Sequence, residues 1–554
     1  MKDKGFELKL ASGLVKARMN NTPEQFTEYK SGSALLGDRF YFSALCMMDK
    51  AVSPLCHRAR LEISSPLAEH ITLTAVEQVP VRHPDRFDYT DDDYLGHEPG
   101  LYPDLLRPCE HFFLMPDVCQ QMYLEVNIPK DFEGGDYPIT LTLVDLEGKE
   151  SETVVSETFT LTVYPTLLPE QELSYTQWIH YDCLAVYYGV EIFSERHWEI
   201  IENFLSAAVK TGITAILTPI FTPALDTAIG GERPTVQLID VTREGDEYRF
   251  DFEKLERFCK ICHRIGAREL EIAHFFTQWG AKHAPKIMAY ENGEYRRIFG
   301  WDTDATSAEY VTFLRTLIPA LKEHLDTYGF KDRYFFHISD EPIEENCEGY
   351  EKAKASIIDL ICDHPVRDAL SHYSLYEKGI VSSPVPAVDT ADEFVEKGVP
   401  DLWVYYCSVQ GKHTSNRYMT MPGHRTRVIG AQMYKAGTVG FLHWGFNFYF
   451  ERHSLAPVNP FLITDANYFV PAGDTFSVYP APDGTAWYSL RSAQFEQAIY
   501  DMRAMRAAEQ VVGREAVLRV IDPEGSMCYK QYPKDSDFLI RMRERLNALA
   551  AGKQ

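Results

Sequence analysis

Two adjacent carboxylates, Asp340 and Glu341, are the residues in this sequence best suited to chemistry. They lie in His337-Ile-Ser-Asp340-Glu341-Pro342, directly after the aromatic run Arg333-Tyr-Phe-Phe336 and before a helical pattern from about Glu345 to Ile361. The aromatic run reads as a buried strand, so the pair stands where a strand gives way to a loop. Neighbours within a strand point to opposite faces. At the strand end the chain is turning, and Pro342 cannot extend a ladder, so both carboxyls can reach one pocket. Two carboxyls held close push their pKa values apart, which leaves one protonated beside one charged. That is the equipment for cleaving a glycosidic bond. The same residues also suit a plain helix start, with Ser339 or Asp340 as N-cap and Glu344 and Glu345 favouring the dipole. The rest of the chain decides between the two.

The elements that must position the pair read as two blocks. Residues 1–170 alternate in His70–Val76, Met122–Ile128 and Thr158–Tyr164, between Pro, Gly and Asp clusters, as a β-sandwich would. From residue 171 to 554 the pattern becomes strand, helix, glycine, strand. Strand candidates are Ser174–Asp182, Ile213–Thr218, Glu269–Phe275, Tyr334–Ile338, Ala369–Ser374, Val385–Asp389, Asp401–Tyr406 and Gly440–Phe446. The expected fold is therefore multi-domain, an all-β sandwich followed by an α/β region that counts as a (β/α)8 TIM-like barrel. Arg491–Ala508 is the expected last helix, and the segment after Gly513 is a C-terminal extension. In such a barrel the C-terminal strand ends converge on one mouth. They would bring Trp178, His180 and Asp182, then His274, Gln278 and Trp279, then His337, His372 and Tyr373, and finally Tyr405, Tyr406, Trp444 and Asn447 to the carboxylates. Tryptophans beside His, Asp and Asn suit a sugar pocket, with apolar walls and a few directed polar groups.

Composition removes several alternatives. A net charge of −26 over 554 residues argues against a nucleic-acid or anionic-membrane partner, and no run approaches a membrane span. The opening Met1-Lys-Asp-Lys-Gly lacks the apolar core of a signal peptide, so the expected location is cytoplasmic. Of the eleven Cys, Cys259 and Cys262 form one C-x-x-C inside a helical pattern, without a second pair for zinc. His180, Asp182, His274, His337 and His372 could in principle hold a metal, but their spacing is loose and His-x-Asp replaces His-x-His. No nucleophile elbow or phosphate-binding loop is evident. No metal and no cofactor are expected.

The segments Trp178–Ala185, Phe221–Asp226 through Gly230-Gly-Glu-Arg-Pro234, His274–Pro285 and His337–Pro342 resemble glycoside hydrolase family 123 and its relatives of unknown function. The Asp-Glu pair is the specific part of that likeness, which covers the chain from about residue 171 and fits a preceding sandwich. The resemblance implies an exo-β-N-acetylgalactosaminidase working by substrate assistance on a glycan or glycoconjugate. Asp340 would orient the 2-acetamido group, and Glu341, with a raised pKa, would protonate the leaving oxygen. Two rival readings remain: a glycosidase for another sugar with a distant nucleophile such as Asp182, and a non-catalytic carbohydrate-binding protein. Oligomeric state is open.

Overall fold

The computed structural model describes residues 2–3, 5–147, 152–278 and 280–553, with side chains unassigned at 2, 3, 152 and 153. The first block is two sheets facing each other. Six strands run in the spatial order Lys2–Asp3, Phe6–Ser12, Arg39–Met48, Gln120–Asn127, Ile71–Val81 and Gly100–Pro108. Five run in the order Ser31–Leu36, Glu152–Leu167, Gly135–Asp145, His57–Ser64 and Phe112–Leu114. Alternation explains the pairing: Ile139, Leu141 and Leu143 are buried while Thr140 and Thr142 stand at the surface. Leu8, Phe42, Met122, Leu141, Phe159 and Leu161 share one core between the sheets. Strand Arg39–Met48 is covered on both faces, because Phe42 enters that core while Tyr41 packs with Tyr123 and, from the second block, with Leu490 and Ala493.

Residues 168–173 link the sandwich to eight short strands that alternate with helices. In chain order these strands are Ser174–Gln177, Ala215–Thr218, Glu269–Ile272, Tyr334–Phe335, Arg367–Ala369, Ser383–Val385, Trp403–Tyr405 and Gly440–His443. Every pairing among them is parallel. The eighth lies between the first and seventh, the third between the second and fourth, and the fifth pairs with the sixth. Single links join these groups: the Thr214 amide donates to Tyr175 O at 2.9 Å, and parallel bridges pair Phe336 with Val366 and Ala387 with Tyr405. The ladders thus form three separate sheets with three narrow seams rather than one continuous closed sheet. In that respect the structure stops short of the single eight-stranded barrel expected from the sequence. Strands of two to four residues explain the seams, since so short a strand offers few ladder bonds to each neighbour.

Helix Leu490–Val512 lies between the blocks, and Ser536–Ala550 of the C-terminal extension packs on it. The extension reaches back to the sandwich, where Arg543 pairs with Asp38 and Asn547 Nδ2 donates to Ser33 O at 3.0 Å. Buried ion pairs cross the same boundary. Arg491 grips Asp104 through two bonds at 2.7 and 2.9 Å, and Arg425 holds Asp91 at 2.7 and 3.1 Å. Cys259 and Cys262 are buried on helix Glu253–Ile265, and burial pushes both thiols up, Cys259 to about 12. All eleven cysteines are free. No helix among the described residues is long and apolar enough to cross a membrane.

Candidate active site

The fourth strand delivers the carboxylate pair. Its continuation is tied on both sides: the Phe276 amide donates to Ile338 O at 3.1 Å, and the Ile338 amide donates to Asp368 Oδ1 at 3.0 Å. Ser339 Oγ donates to Thr277 O at 2.7 Å. The ladder ends there, and Glu341 takes the left-handed backbone with φ 41°. That turn sends consecutive carboxyls into one cavity of about 190 Å³, also walled by Trp178, Asp226, Gln278, Tyr405 and Trp444. Tyr405 Oη donates to Glu341 Oε1. Left-handed backbone disfavours a glutamate, and such strain gathers where geometry serves a site.

The cavity is short of cations. Burial, followed by the charges of Glu341, Asp226 and Asp368, lifts the Asp340 carboxyl well above the usual range, against the opposing pull of His337. Asp226 is raised to about 6 by burial, with Glu341 adding to the rise and Arg233 restraining it. Asp474, which accepts the Trp444 indole N–H at 2.9 Å, is raised by burial to about 7. Asp340, directly beside the Glu341 that the sequence offers as proton donor, is thus a raised carboxyl. Burial is the first cause, and its position beside Glu341, with Asp226 and Asp368 near, adds to the rise.

Of the residues expected at the mouth, Trp178, Gln278, Tyr405 and Trp444 line the cavity with the pair. Others stand behind it. Asp182 is 1% exposed and bound by Arg233 through two bonds at 2.7 Å, while His180 Nδ1 accepts from the same guanidinium at 3.1 Å. Burial and Arg233 drive His180 down to about 3, so its ring is neutral. Asn447 brackets the His180 backbone, accepting from its N–H at 2.9 Å and donating to its C=O at 3.1 Å. These three frame the first strand end and do not line the cavity. Asp182, the example of a distant nucleophile named from the sequence, is bound by Arg233 and does not line the cavity.

His274 and His337 lie beneath the cavity, stacked with centroids 4.2 Å apart. His337 Nε2 meets Glu271 Oε1 at 2.7 Å, and the same oxygen accepts the Trp178 indole N–H at 2.7 Å. Against burial, hydrogen bonds to Asp368 and Glu271 raise His337 to about 9, so it is an imidazolium near neutrality, whereas burial and His337 push His274 well down. Donor atoms of His274, His337 and Asp368 fall within 4.8 Å of one another and are the residues that could hold a metal. Their arrangement is equally that of a cation held between two carboxylates under the Trp178 wall.

Three expected residues stand elsewhere. Tyr406 points opposite to Tyr405, as strand alternation requires, and packs on Phe441 at 4.9 Å. His372 is exposed, and Tyr373 packs on Phe394 at 5.3 Å with Lys397 Nζ 4.9 Å from its ring. Strand five ends at Ala369, so His372 stands at the N-cap and Tyr373 in the first turn of the helix that follows rather than at the strand end. Trp279 lies outside the described residues. Asp226, Asp474, Cys407, Ser408 and Phe469 were not singled out from the sequence. Asp226 and Phe469 sit in long loops after the second and eighth strands, where no periodicity marks them.

With this geometry in hand, the comparisons with known proteins agree on the family. The model of the glycoside hydrolase 123 catalytic domain matches residues 178–508, and the chain belongs to that family of glycoside hydrolases. A solved family 123 glycoside hydrolase from Clostridium perfringens, described in work on glycolipid glycan hydrolysis, has the same fold: TM-score 0.74 at 13% identity, covering 99% of this chain and 98% of that one. A family 39 glycoside hydrolase from Bacteroides cellulosilyticus WH2 reaches only TM-score 0.30 at 10% identity, covering 86% and 81% of the two chains, and carries no weight for the fold. No curated protein matches the sequence at a significant level.

Proposed function

We propose that this glycoside hydrolase is a retaining exo-β-N-acetylhexosaminidase that favours N-acetylgalactosamine and uses the acetamido group of its substrate as nucleophile. The observation that carries the reading is the placement of consecutive Asp340 and Glu341 in one cavity, with Glu341 turned inward by left-handed backbone. The acetamido nitrogen and the glycosidic oxygen sit on neighbouring ring carbons, so neighbouring carboxyls suit them. In the first step the acetamido oxygen bonds to C1, the C1–leaving oxygen bond breaks, and Glu341 gives its proton to the departing oxygen. Asp340 accepts a hydrogen bond from the acetamido N–H and steadies the positive charge of the oxazolinium ring. In the second step water attacks C1, the C1–acetamido oxygen bond breaks, and Glu341 takes the proton of the water. Two displacements give net retention.

The resting site is ready for this proton traffic. The crowded pair favours holding a proton, and Asp340 is the carboxyl lifted. An acetamido N–H bonded to Asp340 favours its anion, which leaves the proton of the pair to Glu341. The family relative's action on a glycolipid glycan supports a glycan substrate for this chain. The eight parallel strands, joined at their seams, are best treated as a (β/α)8 barrel with this cavity at its C-terminal mouth. The sandwich, residues 1–170, and the α/β region with its extension, 171–554, serve as its two domains. The reading also makes the framing residues His180, Asp182, His274, His337 and Asn447 supports of the glycone pocket, while Trp178, Gln278, Tyr405 and Trp444 touch the sugar.

The test is release of p-nitrophenol from its β-N-acetylgalactosaminide by wild type, Asp340→Asn and Glu341→Gln. Turnover by wild type, reduced at least about 10³-fold in both variants, is expected. Turnover that survives both substitutions overturns the site.

A further inference from the structure

A third carboxylate walls the cavity, and considerable local structure is devoted to putting it there. Asp226 lies in the loop after the second strand with φ 52°, in the left-handed region. Its N–H donates to Gln278 Oε1 at 2.6 Å, and its C=O accepts from Ser454 Oγ at 2.7 Å. Ser454 and His453 are themselves left-handed, each with φ 57°, and His453 O accepts the Ala228 amide at 3.0 Å. Two strained loops therefore brace each other across the mouth. Left-handed backbone at a non-glycine residue is unfavourable and persists only where the surroundings enforce it.

The carboxyl so placed has no hydrogen-bond partner among the described residues. Among the described residues no side chain or amide donates to it, although it lines the cavity. The nearby guanidinium of Arg233 has its Nε and one terminal nitrogen on Asp182. A part-buried carboxylate normally finds donors, and one left without them faces its donors from outside the protein. Asp340 and Glu341 come from the fourth strand, Asp226 from the second. A ring whose C1 and C2 substituents meet the pair presents its remaining hydroxyls to other walls.

We infer that Asp226 is a sugar-binding residue whose carboxylate accepts hydrogen bonds from ring hydroxyls of the glycone and so sets which sugar the cavity takes. This rests on the proposed hexosaminidase reading for the identity of the sugar alone; the placement of the carboxyl stands without it. Charged acceptors discriminate strongly, because a substrate lacking the hydroxyl leaves the anion unpaired in a buried site.

The experiment is an enzyme–substrate cycle. Wild type, Asp226→Ala and Asp226→Asn are assayed on the p-nitrophenyl β-glycoside of N-acetylgalactosamine and on its 3-, 4- and 6-deoxy analogues. Asn tolerates left-handed backbone, so the second variant keeps the loop, and melting curves check both. The expected result is a loss of about 100-fold in kcat/KM on the parent, shrinking to a few-fold on the one analogue that lacks the bonded hydroxyl. Equal losses on all four substrates, or none, overturn the inference, as does covalent capture of Asp226 by a 2-fluoro sugar, which would make it a nucleophile. Should wild type turn over no N-acetylhexosaminide, the hexosaminidase reading fails and calorimetric titration with N-acetylgalactosamine, N-acetylglucosamine, galactose and glucose decides. Binding by wild type that Asp226→Ala abolishes supports the role. Binding that survives, or no binding of any of the four, overturns it.

Discussion

The cavity and the boundary between the two blocks both bury carboxylates, and they treat them in opposite ways. At the boundary each is matched by arginine: Asp104 by Arg491, Asp501 by Arg427 and Arg543, Asp38 by Arg543, Asp91 by Arg425. Although burial pushes Asp91 up, Arg425 and the His413 amide pull it down to about 2. In the cavity Asp226, Asp340 and Glu341 gather without such a partner, and Asp226 and Asp340 are driven up. The same residue type is thus a fastener in one region and a proton reservoir in the other. The difference is the supply of arginine and the backbone. Glu341, Asp226, His453 and Ser454 are all left-handed around the mouth, whereas none of the carboxylates at the boundary is. At the mouth left-handed backbone and unmatched charge coincide, as the proposed chemistry would require.

The comparison can be broken most forcefully at the pair. Glu341→Gln and Asp340→Asn should each cost at least about 10³-fold in kcat/KM while melting no lower than wild type, since each relieves like-charge repulsion. Activity and melting temperature measured on the same preparations check this. At the boundary the pattern should invert. Arg543→Met strands Asp38 and removes one of the three arginine hydrogen bonds to Asp501, so stability should fall by about 3–5 kcal/mol, with kcat of the folded enzyme nearly unchanged. Denaturant titration beside a steady-state assay reads both. Tyr405→Phe removes the hydroxyl donated to Glu341 and should lower kcat/KM about 10- to 100-fold, the worth of one hydrogen bond to a charged group.

The smallest effect is on pH dependence. A carboxyl raised from 3.8 to about 6, as in Asp226, binds its proton more tightly folded than unfolded. Its contribution to stability is present below the unfolded value and is lost as pH rises through the folded one. Asp226→Asn should therefore melt like wild type near pH 4 and be more stable near pH 7.5, by about 1–2 kcal/mol once its partial exposure is discounted. Asp91, lowered to about 2, has the opposite sign: its contribution is present above 3.8 and is lost as pH falls through 2. Melting temperatures at pH 4 and 7.5 read Asp226, and a series continued down to about pH 2 reads Asp91.

Much of this was legible in the sequence, and the rest was hidden for identifiable reasons. Period-two alternation marks the sandwich strands because one face of each meets the shared core, as Leu141 and Leu143 do. The pair was legible because an aromatic strand and Pro342 bracket it. Trp178, Gln278, Tyr405 and Trp444 were reachable by counting to strand ends. Tyr406 went astray because the last strand residue decides which neighbour faces the mouth, and sequence places strand ends only within a few residues. His372 and Tyr373 were read onto a strand that stops at Ala369. Asp226 was invisible because its place depends on Gln278 and Ser454, 52 and 228 residues away. The hold of Arg233 on Asp182 was hidden because the arginine lies 51 residues on.

The most direct test of substrate assistance is to offer the wild-type enzyme two traps side by side, an N-acetylgalactosamine thiazoline and a 2-deoxy-2-fluoro glycosyl fluoride, and to follow inhibition and intact mass. The account expects competitive inhibition by the thiazoline and no added mass from the fluoro sugar. Stoichiometric labelling of a protein carboxylate, with the thiazoline inert, would contradict it.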